Sequence, residues 1–203
     1  MALLLAIAAL SPAHSQSRSI YGGGVDEDAA LVRLVDAGAA SPVSVRIGGV
    51  TLSVAGAGDS TPYRPVAPDI YMLSYAGRRF EFLPETGGWY TIVAASRSLL
   101  VLSDEKHLDA ARAQLYFYNL AQAPLELRTA DGSTRVLGPL AAGSSAQAAV
   151  NPITVKLAAY GDGKKAGADI DFRLERGSSY SVFTHDSPAG IRTFAVKAAA
   201  STE

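Results

Sequence analysis

The residue types best suited to covalent chemistry in this 203-residue chain are a serine, a histidine and an aspartate. Gly58-Asp59-Ser60 sets a hydroxyl behind a glycine turn, and Asp104-Glu105-Lys106-His107 sets a carboxylate three residues before an imidazole. A serine attacks an ester only when a base takes its proton and a carboxylate orients that base. The two motifs stand in the chain order that such an acyl-transfer site needs. Bringing them together takes an α/β scaffold whose helices carry two distant loops to one place. The chain has no run of helical periodicity to supply it. Gly58-Asp59-Ser60 also lies in a Gly, Ala, Ser, Thr and Pro stretch where turn chemistry accounts for each residue. The expectation is a chain that is not an enzyme.

Metal chemistry is no better served. His14, His107 and His185 stand far apart, and no pair has the spacing of zinc ligands. Asp162, Asp169 and Asp171 offer oxygens to calcium, but Gly161-Asp162-Gly163-Lys164 reads first as a hairpin turn beside an exposed strand face. No metal and no cofactor is expected. Recognition is better supplied: Tyr71, Tyr75, Trp89, Tyr116 and Tyr118 are candidates to stack on a sugar or to anchor a protein partner. Tyr71 and Tyr75 share one face if their segment is extended.

The elements that would carry these residues read as strands. Val, Ile, Leu and aromatic residues alternate with polar ones at 31–35, 43–47, 80–82, 115–118, 125–127, 153–157, 170–174, 180–183 and 194–196, with Gly, Pro, Asp and Ser between. Many short strands with frequent turns predict sandwiches. The order of elements also repeats. Val32-Arg33-Leu34-Val35-Asp36 matches Leu115-Tyr116-Phe117-Tyr118-Asn119, and Pro42-Val43-Ser44-Val45-Arg46 matches Pro124-Leu125-Glu126-Leu127-Arg128. Phe80-Glu81-Phe82-Leu83 before Gly87-Gly88-Trp89-Tyr90 resembles Phe172-Arg173-Leu174-Glu175 before Gly177-Ser178-Ser179-Tyr180.

The predicted fold is all-β, two tandem small β-sandwich domains over 20–103 and 113–198, joined by a short linker over 104–112. Ser103 followed by two acids is expected to cap a turn or two of helix there. Leu34, Phe82, Phe117 and Leu174 should point inward. Arg33, Tyr116 and Tyr118 should then share the outward face, a first hint of a recognition surface.

Charge and composition narrow the partners. With 18 basic and 19 acidic residues the net charge is -1, and no basic block exists to neutralise phosphates, so nucleic acid is not expected. Residues 1–15, MALLLAIAALSPAHS, read as a secretory signal peptide: an apolar run too short to span a bilayer, then small residues at a cleavage site, though with no Lys or Arg after Met1. With no cysteine, an exported chain must hold its cores by apolar burial alone. A periplasmic location is expected.

Asn151-Pro152-Ile153-Thr154-Val155-Lys156-Leu157-Ala158-Ala159-Tyr160, the Gly-Asp-Gly-Lys-Lys turn and Leu174-Glu175-Arg176-Gly177 resemble the AlgF family of alginate biosynthesis proteins. Ile20-Tyr21-Gly22 leading to Leu31-Val32-Arg33-Leu34-Val35 resembles the family's mature N-terminus, and Leu125 to Gly132 fits as well. The resemblance implies a periplasmic adaptor that works with a membrane-bound O-acetyltransferase and SGNH-type acetyltransferase proteins, and it carries no catalytic residues over. An acidic polysaccharide is a further candidate partner. The alternatives are a carbohydrate-binding module for an exopolysaccharide and an SGNH-type acetylesterase or acetyltransferase.

Overall fold

In the computed structural model, which describes residues 28–39, 42–95 and 98–198, the chain is all-β. The expected signal peptide and the Ile20-Tyr21-Gly22 segment lie outside the described residues. The first half runs β1 (Ala30–Asp36), β2 (Val43–Ile47), β3 (Val50–Val54), β4 (Arg64–Val66), β5 (Tyr71–Tyr75), β6 (Arg78–Phe82), β7 (Trp89–Ala95) and β8 (Ser98–Asp104). The second runs β9 (Ala113–Asn119), β10 (Leu125–Thr129), β11 (Arg135–Leu140), β12 (Ser144–Val150), β13 (Thr154–Gly161), β14 (Lys164–Lys165), β15 (Ile170–Arg173), β16 (Ser179–Ser187) and β17 (Gly190–Ala198).

Each half is a sandwich of the same design. One sheet is ordered β4-β1-β7-β8 in the first half and β12-β9-β16-β17 in the second. Its centre is a parallel pair, β1 with β7 and β9 with β16, in identical register: Leu34 faces Ile92 as Phe117 faces Val182. The opposite layer is built from the β2–β3 and β5–β6 hairpins in one half and from β10, β11, β13, β14 and β15 in the other. Asp36 and Asn119 end the first strand of each half the same way. The Asp36 carboxylate accepts from the Gly38 and Ala39 N–H groups, and the Asn119 carbonyl accepts from that of Ala121. A side chain that satisfies the next backbone donors turns the chain back.

The structure shifts one part of the sequence match by two residues. Phe82 packs edge-on against Tyr90 at 5.3 Å, and its counterpart against Tyr180 is Phe172 at 5.8 Å, not Leu174. The Tyr90 hydroxyl accepts from the Glu85 N–H as that of Tyr180 does from Glu175. A shift of two keeps the face, so Leu174 still points inward, 5% exposed.

Inward side chains form one core per half. Val32, Leu34, Val45, Leu52, Leu73, Phe82 and Ile92 meet in the first, and Leu115, Phe117, Leu127, Leu157, Phe172 and Val182 in the second. A third cluster joins the halves: Val35, Val93 and Leu102 of the first sandwich pack on Tyr116, Tyr118 and Phe183 of the second. The two parallel-centred sheets therefore lie face to face, and the described residues stack in four layers. This corrects the expectation for Arg33, Tyr116 and Tyr118. They do share a face, but the other half covers it.

The expected helix cap is also overturned. Ser103 lies within β8, whose last residue, Asp104, is buried. Residues 105–112 carry no regular element but are tied down: the Tyr116 hydroxyl donates to the Glu105 carbonyl at 2.5 Å, and the Gly177 N–H donates to that of Arg112.

Candidate functional site

The densest polar chemistry lies between the two facing sheets, centred on Arg33. Arg33 is 1% exposed, because β1 has its own core on one side and the second sandwich on the other. Its Nε donates to Thr91 Oγ1 at 2.8 Å, and its Nη2 donates to Tyr118 OH at 3.0 Å and Ser181 Oγ at 2.8 Å. Parallel registers line these up, since Arg33 pairs with Thr91 and Phe183, two residues after Ser181, pairs with Tyr118.

Asp104 is the matching anion. Thr91 Oγ1 and Tyr63 OH donate to its Oδ2 at 2.6 and 2.7 Å, and Tyr118 OH donates to Oδ1 at 2.6 Å. The guanidinium also lies 4.8 Å from the Tyr63 ring centre. Burial alone would favour a neutral Arg33, but Tyr63, Tyr118 and Asp104 more than offset it, so its pKa is raised and the cation is kept. Burial raises the pKa of Tyr63 and Tyr118, with Arg33 opposing and Asp104 adding to the rise. All these hydroxyls stay protonated and able to donate. The cluster is a clamp between the halves, in which Arg33 Nη1 is buried without a hydrogen-bond partner.

The candidate catalytic residues are not brought together. Ser60 forms a strand bridge with Val35, and the Gly58 N–H donates to the Asp36 carbonyl, so Gly58-Asp59-Ser60 serves as a turn along the end of β1. His107, 7% exposed, instead meets Ser179: Nδ1 and Ser179 Oγ are 3.2 Å apart, and Nε2 lies 2.7 Å from the Asp109 carbonyl. With the carbonyl accepting from Nε2–H, Nδ1 accepts from the serine. The contact fastens the 105–112 segment to β16. Sequence reading missed Ser179 because nothing local distinguishes it from other strand serines.

The aromatic candidates divide. Trp89, Tyr116 and Tyr118 are buried, at 8%, 5% and 0% exposed, so they offer no open ring to a sugar in this arrangement. Tyr71 and Tyr75 do share a face, but it is the half-buried inner face of β5, packed against the first core. Among the aspartates weighed for calcium, Asp169 pairs with Lys165 and Asp171 with Lys156. Asp162 and Gly163 both have positive φ, as the two-residue turn between β13 and β14 requires.

Comparison with known proteins gives a consistent family. A family model described as alginate O-acetyl transferase AlgF matches residues 2–181. The alginate biosynthesis protein AlgF of Pseudomonas putida is 27% identical over 176 residues, 86% of this chain and 81% of that protein. That of Pseudomonas aeruginosa is 27% identical, over 83% of this chain and 77% of that protein. A solved structure of the C-terminal domain of AlgF from P. aeruginosa is 30% identical, covering 43% of this chain and 98% of that one at a TM-score of 0.40.

Proposed function

This chain belongs to the AlgF family, and from that membership we propose a non-catalytic periplasmic adaptor in the O-acetylation of an alginate-like exopolysaccharide. It bridges a membrane O-acetyltransferase and SGNH-type acetyltransferase proteins. The observation that carries this reading is the four-layer stack. The inner sheets are clamped together through Arg33 and Asp104, which leaves the outer layer of each half facing away from the other. Sheets pack about 10 Å apart, so the two outer faces stand about 30 Å from each other. A rigid body with two opposed faces suits holding two proteins at a fixed separation. Ser60 and His107 are engaged in a strand bridge and a tether, which favours a scaffold over a catalyst.

Affinity-tagged full chain, cross-linked in its own host, should recover both the membrane acyltransferase and the periplasmic acetyltransferase. Recovery of neither, with retention on the polymer alone, overturns the adaptor. Hydrolysis of an acetyl-ester reporter that the wild-type protein performs and the Ser60→Ala variant does not overturns the non-catalytic reading.

A further inference from the structure

The duplicated design supplies an internal control for the two outer faces. Phe82 and Phe172 occupy equivalent places, each packed edge-on against the tyrosine of the closing strand. Tyr71 pairs with Phe82, and Val155 with Phe172, so the positions between follow directly. Met72 corresponds to Lys156, Glu81 to Asp171, Ile70 to Thr154 and Leu83 to Arg173.

In the second half these outward positions are polar, and Lys156 pairs with Asp171 at 3.3 Å across the strands. In the first half Ile70, Met72 and Leu83 are exposed at 61%, 55% and 60%. They sit together: Met72 faces Glu81, and Ile70 and Leu83 flank the Tyr71–Phe82 pair. The fold does not require apolar residues here, because its own second copy does without them. A cluster of exposed apolar side chains on one hairpin face marks a contact surface.

The same comparison gives the chemistry of what covers it. Glu81 keeps its carboxylate, but the lysine that Asp171 faces has become Met72. Glu81 has no ion pair among the described residues. Of the basic groups on this outer face, Arg46 donates to the Gly48 carbonyl at 3.1 Å, and Arg79 stands two residues from Glu81 on the same strand face, opposite Ser74 toward the hairpin tip and away from Ile70 and Leu83. Asp69 and Glu85 are exposed at the same end of the face. At the Ile70–Leu83 end the flanking charges are the carboxylates of Asp69 and Glu85, which disfavour anionic lipid and a uronate polymer alike.

We propose that the outer face of the β5–β6 hairpin, Ile70, Met72 and Leu83 with Glu81, docks a partner protein through an apolar segment flanked by Lys or Arg that pairs with Glu81. The proposal rests on the adaptor reading and assigns that adaptor one of its two partner surfaces.

The probe is an alternating Lys–Leu peptide, with its Glu–Leu twin as the control, followed by backbone chemical-shift mapping on the full chain. The Lys–Leu peptide should perturb β5 and β6 and bind at least tenfold more tightly than the twin. The variant Met72→Lys/Leu83→Arg carries the second half's own residues and should melt like the wild type. It should lose at least tenfold in peptide affinity, and Glu81→Gln should weaken binding and flatten its salt dependence. Equal binding of both peptides overturns the proposal. So does binding to phosphatidylglycerol vesicles that the double variant abolishes, or a dimer in sedimentation that the double variant dissolves. Polymer acetylation in cells keeps the two readings apart: a double variant that loses the peptide yet acetylates normally overturns the assignment of this surface to the adaptor, while recovery of neither acetyltransferase partner by the wild-type chain overturns the adaptor role itself.

Discussion

Arg33 reaches Asp104 through two hydroxyls: Thr91 Oγ1 and Tyr118 OH each accept a hydrogen bond from the guanidinium and donate one to the carboxylate. Three of these four residues belong to the first sandwich and Tyr118 to the second, so the relay holds the halves together as well as neutralising two buried charges.

Removing the cation alone should therefore be costly. Arg33→Met leaves Asp104 buried without its charge partner and should lower unfolding stability by about 3 kcal/mol. Adding Asp104→Asn should return part of that loss, because the two effects share one network. Urea denaturation of the two single variants and the double variant checks this, and strict additivity would refute the relay.

Alkali should loosen the same clamp. Tyr63 and Tyr118 have raised pKa values in the folded protein, burial being the largest cause. Above about pH 10 an unfolded tyrosine loses its proton while these two keep theirs. The folded state then binds more protons, so stability falls as pH rises from that point. The Tyr63→Phe/Tyr118→Phe variant should show a shallower fall in melting temperature between about pH 9.5 and 11, a window that brackets the free tyrosine value of about 10.

Phe117 tests the second core. It is fully buried at the centre of β9 against Leu115, Leu127 and Val182. Phe117→Ala should cost about 3–4 kcal/mol, measured by the shift in the urea midpoint with the slope unchanged.

Ser179→Ala tests the tether. It removes the hydroxyl that meets His107 Nδ1 and should cost only about 1 kcal/mol globally. Hydrogen exchange at residues 105–112 should speed up while the central strands keep their protection. Unchanged exchange there would mean Tyr116 and the Gly177 amide hold the segment without it.

The fold class and the repeat were legible because alternation and turn residues are local signals. Leu34 and Phe117 declared their side of the strand by spacing alone. What covers the other side is not local. Alternation puts Arg33, Tyr116 and Tyr118 on one face, and a charged residue in a strand reads as solvent-facing. The available clue was Leu115 to Tyr118, four apolar or aromatic residues in a row, the mark of a strand buried on both faces. The run from Ser103 to Ala113 misled for the opposite reason. Its charges suggest an open connector, yet Asp104 is held by hydroxyls from three other strands or loops and His107 by a serine far along the chain. Strands β3, β4, β8, β11, β12 and β14 were not predicted: β4 and β14 are only three and two residues long and β8 and β12 carry little period-two contrast, whereas Val50-Thr51-Leu52-Ser53-Val54 of β3 does alternate and was overlooked. The hairpin face at Met72 became visible only when the register aligned it with Lys156.

The parallel pairing at the heart of each sandwich also sets a timetable. Arg33 meets Thr91 across 58 intervening steps of chain, and Tyr116 meets Ser181 in the same fashion. Until β7 has been made, β1 has only its short ladder with β4, whereas β9 can already pair along its length with β12 and waits for β16 on its other edge; closing loops so long is slow. A nascent chain of this design cannot complete the central pair of either sandwich until the closing strand of that half, β7 or β16, has been synthesised.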